Sequence, residues 1–187
     1  PVLALVVVLV VLVVLAVAAV AVYNRLVQRR NRVDNAWSQI DVQLKRRHDL
    51  IPNLVEAVKD YLTYEQETLT KVTEARAAAI DAGRRGPAAQ AAAENALSET
   101  LKSLFAVFEN YPDLKANQNV MSLQEELTTT ENRIAFARQF YNDTVLTYNN
   151  AIQVFPANLV ANAFGFRPRE YFAAAEGDRA VPAVDIH

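Results

Sequence analysis

The side chains able to do acid–base or nucleophilic chemistry are few in this 187-residue chain. It has two histidines, His48 and His187, and no cysteine, which removes disulfides and thiol chemistry. His48 is followed by Asp49, but neighbours on a helix point about 100° apart and do not form a dyad. Beside Lys45, Arg46 and Arg47, His48 is predicted to be a surface helix residue. Glu125, Glu126 and Glu131 are close in sequence, yet no Glu-x-x-His pattern accompanies them, and they read as a solvated acidic face. Four glycines and no strand pattern exclude the usual phosphate-binding loops. Ser38, Ser98, Ser103 and Ser122 have no nucleophile-elbow context. The sequence therefore predicts no catalytic residue, no metal site and no cofactor.

The basic residues carry a clearer signal. Arg25, Arg29 and Arg32 share one helix face by i, i+4, i+7 spacing, with Arg30 to the side. Specific lipid or nucleic-acid binding is the sharper reading of such a cluster. Its position directly after an apolar run explains it without either, as a contact with membrane headgroups, each charge contributing roughly 1 kcal/mol beside an anionic leaflet. Membrane lipids are the expected partner and nucleic acid is not.

The element that places these arginines is residues 1–22, all Val, Leu, Ala and one Pro. As a helix it spans roughly 33 Å, enough for a hydrocarbon core of about 30 Å. A cleaved signal peptide is the competing reading, since Ala16-Val17-Ala18 and Ala19-Val20-Ala21 have the small-x-small form. The missing basic n-region and the length of the apolar run favour an uncleaved anchor. Residues 23–48 hold seven Lys/Arg against two Asp/Glu, and residues 49–187 hold twelve against nineteen. The positive-inside rule puts the C-terminal domain in the cytoplasm of a single-pass cell-membrane protein.

The rest is predicted all-α. A long first helix, 23–81, carries an apolar stripe of Leu26, Val33, Trp37, Ile40 and Leu44. The stripe shifts near Pro52, where a missing N–H and a ring clash predict a kink. The segment 81–87, with two glycines and Pro87, breaks the chain. Further helices are expected at about 88–110, at 117–154 with Asn117 as N-cap, and at 157–164. Residues 165–187 read as an irregular tail packed on the bundle through Phe164, Phe166, Tyr171 and Phe172. Domains are thus an anchor 1–22, an antiparallel bundle 23–164 and a tail 165–187. The lone Trp37 lies in the apolar stripe, which favours core packing over ligand stacking.

In order along the chain, Tyr23-Asn24-Arg25-Leu26-Val27, Arg30-Asn31, Ala36-Trp37 and Ile40-Asp41-Val42-Gln43-Leu44 resemble the LemA family. So do Leu44-Lys45-Arg46-Arg47-His48-Asp49-Leu50-Ile51-Pro52-Asn53-Leu54-Val55-Glu56 and Tyr111-Pro112-Asp113-Leu114-Lys115-Ala116. Tyr141-Asn142, Tyr148-Asn149, Phe155-Pro156, Phe164-Gly165-Phe166 and Tyr171-Phe172 complete the match. The resemblance implies one transmembrane helix, a small extracellular N-terminus and a cytoplasmic helical bundle. It supplies no catalytic residues. Genes of the family it resembles often lie near that of a membrane metalloprotease, which points toward membrane-protein quality control. This chain, lacking His-Glu-x-x-His, would be the partner of such a protease.

The function expected is a membrane-anchored scaffold and not an enzyme. The first helix outreaches its neighbours, so Val33, Trp37 and Ile40 are expected to lack cover within the chain, which predicts homo-oligomerisation or a partner. The alternative is a ligand-binding or enzymatic bundle with a polar site between helices. A buried charged cluster, or Asn24, Asn31, Asn35, Asn53, Asn142 and Asn149 around a pocket, would favour it.

Overall fold

A computed structural model describes residues 1–173; within them the chain forms helices and no strand. They are α1 (Val2–Val58), α2 (Gln66–Ala82), α3 (Pro87–Phe108), α4 (Pro112–Ala116), α5 (Gln118–Gln153) and α6 (Ala157–Ala163). Among the described residues one helix, α1, is long and apolar enough to cross a membrane, and its apolar stretch has no cover within the chain. The chain divides into two compact units, one of Pro1–Ser38 with Phe140–Arg169, the other of Gln39–Gln139 with the residues from Glu170 on.

The expected helix 23–81 is corrected. It ends at Val58, and α2 begins at Gln66. The reversal lies where no Gly or Pro marks it. Tyr61 and Leu62 donate their N–H groups to the Val58 carbonyl at 3.0 Å, and Glu65 donates to Leu62 at 3.0 Å. Leu62 is fully buried and plugs the turn, so the apolar spacing from Val58 to Leu62 to Leu69 continues although the helix does not. Asp60, Tyr61, Thr63 and Tyr64 are all modest helix formers, which lowers the cost of breaking there.

In the unit containing α2 and α3, the buried side chains come from α1 to α5. Ile51, Leu54 and Val58 of α1 pack with Leu69, Val72 and Ala79 of α2. Leu97, Leu101, Leu104 and Phe108 of α3, Leu114 of α4 and Val120 and Leu127 of α5 complete the cluster. Pro87 opens α3, preceded by Gly86 at φ +103, a conformation that side chains other than glycine's resist. The Glu170 carboxylate accepts the Ala88 N–H at 3.2 Å, which satisfies one of the free donors of α3's first turn. Asn117 caps α5, its Oδ1 accepting from the N–H groups of Asn119 (3.0 Å) and Val120 (3.2 Å).

In the other unit, α1 and α5 run antiparallel. Arg29 donates to the Thr147 carbonyl at 3.2 Å, and the rings of Trp37 and Tyr141 meet edge-on at 5.3 Å. Leu26, Val33 and Ala36 are buried here, with Tyr141, Val145, Tyr148, Ala151 and Ile152 of α5 and Ala161 of α6. Asn149 anchors the segment after α6 by a two-way clasp: Oδ1 accepts the Arg169 N–H at 2.8 Å and Nδ2 donates to its carbonyl at 3.0 Å. Tyr148 Oη donates to the Arg167 carbonyl at 3.0 Å, and burial pushes its phenol up from the ordinary value, against the pull of Arg169 and Arg30.

The expectation that Val33, Trp37 and Ile40 lack cover is corrected as well. Val33 and Ile40 are 1% and 0% exposed within the single chain, Leu26 and Leu44 are equally buried, and Trp37 is half-buried on Tyr141. The aromatics expected to pack divide: Phe166 and Phe172 are buried, whereas Phe164 is 64% exposed and Tyr171 sits at the margin. His187 lies outside the described residues.

Candidate functional site

Three helices of the second unit bring ionised groups into its interior. Arg47 of α1 and Glu94 of α3 are 1% and 2% exposed. One guanidinium nitrogen of Arg47 bonds both the Glu94 carboxylate and the Glu94 main-chain carbonyl, the latter at 3.2 Å. The other bonds the Glu131 carboxylate of α5 and the Ser98 hydroxyl, the latter at 2.7 Å. Ser98 donates onward to Glu131 at 3.0 Å. His48 Nε2 faces the second Glu94 oxygen at 2.7 Å. An ionised carboxylate only accepts, so that imidazole nitrogen carries the hydrogen. Burial pushes the Glu94 carboxyl up, but the His48 hydrogen bond and the Arg47 charge outweigh it and hold the group below its ordinary value.

The network borders a half-open cleft of about 260 Å³, lined also by Asn95, Ile134, Arg138 and Phe172. Arg138 is engaged with Asn95 at 2.7 Å and the Phe172 carbonyl at 3.0 Å, and its guanidinium lies 5.3 Å over the Phe172 ring. Arg47 Nε is the one buried atom of the network with no protein partner. A wider depression, about 480 Å³, is lined by one face of α5, including Gln118, Met121 and Glu125, with no basic side chain. Among the described residues no group of three His, Cys, Asp or Glu is placed to hold a metal ion.

His48, expected on the surface, is 8% exposed, a correction that follows from its place beside Arg47 on the inward face. Glu131, expected to be solvated, is the third member of the network. The signal for both was present. Leu44, Arg47, Ile51, Leu54 and Val58 step by three and four along α1, and Gln90, Glu94, Leu97, Leu101 and Leu104 do the same along α3. Arg47 and Glu94 therefore stand at core positions, one of each sign.

Pro52 does not end α1. It cannot donate to the carbonyl four residues back, that of His48. Arg76 of α2 takes this acceptor, Nε to carbonyl at 2.6 Å. Of the asparagines singled out, Asn149 is buried and clasps Arg169, while Asn24, Asn31, Asn35 and Asn53 are exposed and Asn142 is half-buried. Of the four arginines after the apolar segment, Arg25 and Arg32 are exposed. Arg29 is half-buried on the Thr147 carbonyl, and Arg30 lies 5.2 Å over the Phe166 ring.

These features define an all-helical protein with a candidate membrane helix at the start of α1 and, in its second unit, a buried ion network. The LemA family model matches residues 36–186, and the chain belongs to the LemA family. It is 28% identical over 158 residues to Protein LemA of Metamycoplasma hominis, covering 83% of this chain and 71% of that protein. It is 28% identical over 174 residues to Magnetosome protein MamQ 2 of Paramagnetospirillum magneticum. It is 25% identical to Magnetosome protein MamQ of Magnetospirillum gryphiswaldense. Each MamQ match covers 80% of this chain, which spans 64% of the MamQ relatives' length.

Proposed function

We propose that the protein is a single-pass membrane scaffold that holds its bundle at the cytoplasmic membrane surface to bind other proteins. The observation that carries this is the continuity of α1, which runs from bare apolar helix at residues 2–21 through Arg25–Arg32 into the buried positions Leu44, Arg47 and Ile51 without a break. Arg25 and Arg32, exposed just past the apolar segment, are placed to meet headgroups and favour a cytoplasmic bundle.

The network supports a structural role for the interior. Glu94 is occupied by Arg47 and His48, and Glu131 by Arg47 and Ser98, so neither carboxylate is left to act on a substrate. The α1 stripe at Val33 and Ile40 is covered within the single chain, so the partner of the scaffold, a second copy or a membrane protease in membrane-protein quality control, binds elsewhere on the bundle. Crosslinking with mass spectrometry on intact membranes tests the reading. Crosslinks from the bundle to a second copy or to another membrane protein are expected, and crosslinks confined to single chains would contradict it.

A second reading, a small ligand in the cleft, is favoured by the unpartnered Arg47 Nε beside it. Native mass spectrometry of the purified protein separates the two, since a retained small molecule lost on Arg47→Met would favour the ligand.

A further inference from the structure

The turn from α5 into α6 gathers exposed apolar side chains well away in sequence from the apolar N-terminal segment. From Val154 to Phe166 the chain reads VFPANLVANAFGF, without one charged side chain. Val154, Phe155, Leu159 and Phe164 are 56%, 78%, 60% and 64% exposed. A water-soluble surface does not usually gather four large apolar side chains within eleven residues of uncharged chain.

Its height along α1 is fixed by the register of the two helices. Thr147 of α5 meets Arg29 of α1. Seven residues further along α5 is Val154, and seven residues back along α1 is Val22, each a rise of roughly 10 Å. The start of the turn is therefore level with the end of the apolar segment. The far end of α6 returns to the same level, because the rings of Phe164 and Phe166 lie 4.8 and 5.7 Å from that of Tyr23. Both ends of α6 thus stand at the height where α1 leaves its apolar stretch, so α6 lies across the helix pair at that level. Arg25 and Arg167, both exposed, follow directly on either strand of the chain and supply cations at the same depth.

We infer that the α5–α6 turn is a second membrane contact, its exposed apolar side chains seated in the headgroup–acyl boundary of the bilayer that α1 crosses. This rests on the reading that α1 is inserted. The occupant is lipid because the patch is continuous with the bare apolar helix and flanked by cations suited to anionic headgroups. Two contacts, one crossing and one lying in the plane, would fix the tilt of α1 as well as its depth.

The absence of cysteine makes spin labelling direct. Single variants Phe155→Cys and Leu159→Cys are labelled with a nitroxide in the full chain, reconstituted into phosphatidylcholine/phosphatidylglycerol vesicles. Collisional accessibility to oxygen and to a water-soluble nickel chelate is then compared with two benchmarks, Val14→Cys in the apolar segment and Lys102→Cys on α3. The expected ratio of oxygen to nickel at both positions shifts from the Lys102 value toward the Val14 value. Ratios equal to that at Lys102 would put the patch in water, and shielding from both reagents would put it under protein; either overturns the proposal. A water-like Val14→Cys label overturns the inserted α1 itself, and this proposal with it.

Discussion

Arg76 donates from its Nε to the main-chain carbonyl of His48 at 2.6 Å, the acceptor that Pro52 leaves without its helical partner. A proline that costs α1 one internal bond thereby creates a docking point for α2. His48 stands ten residues before the end of α1 and Arg76 ten after the start of α2, so the bond registers the two helices as an antiparallel hairpin.

The two residues are therefore expected to be energetically coupled. Arg76→Met alone should destabilise the bundle by about 1.5–3 kcal/mol, the cost of a lost charge-assisted hydrogen bond to a buried acceptor. In a Pro52→Ala background the restored N–H takes the His48 carbonyl, and the same substitution should cost less by about 1–2 kcal/mol. Urea unfolding followed by circular dichroism on the four members of the cycle reads the coupling. Equal costs in both backgrounds would show that Arg76 acts by other means.

Removing one partner of the buried ion pair should be far worse than removing both. Arg47→Leu leaves Glu94 charged, buried and held by His48 alone, which costs on the order of 3–5 kcal/mol. Arg47→Leu with Glu94→Leu removes the fully buried pair and leaves Glu131, partly exposed and still bonded by Ser98, so it should recover much of that loss. The same unfolding measurement decides it. A double variant as unstable as the single one would mean the network does more than satisfy its own charges.

Acid should loosen the same place first. The Glu94 carboxyl is held below the ordinary 4.5, so the unfolded chain binds its proton more readily than the folded one. The stability this contributes is complete above about pH 4.5 and is lost as the pH falls through the lower folded value. Thermal unfolding from pH 7 down to 3 should show this decline, and Glu94→Gln should flatten it at the cost of lower stability near neutrality.

The legible and illegible parts of the fold divide by cause. The long apolar N-terminal helix, the all-helical class, the Pro87 start of α3 and the Asn117 cap rest on local signals, composition and terminal residues. The α1–α2 turn has no such signal, because Leu62 keeps the apolar spacing that a continuous helix would show. The ion network was visible only as charged residues standing on core stripes, and stripes are ordinarily read by tracing apolar residues alone. Its satisfaction needs Glu94, Ser98 and Glu131 from helices 47, 51 and 84 residues away from Arg47, and which partners close on it is decided by packing between elements. Val33 is buried although spacing within one helix is silent about what pairs with it; α5, more than a hundred residues on, meets α1 on either side of it, at Arg29–Thr147 and Trp37–Tyr141.

Membrane insertion of α1 with the bundle on the cytoplasmic side is tested most directly by one labelling experiment on native membranes. A Lys45→Cys variant, at an exposed position on α1, is treated with a membrane-impermeant maleimide in sealed right-side-out and in sealed inverted vesicles, and the membranes are washed in alkaline carbonate only after labelling is quenched. The protein should stay in the carbonate-washed membrane and be labelled in inverted vesicles alone. Release by carbonate, or labelling of sealed right-side-out vesicles, would contradict the anchored, inward-facing bundle.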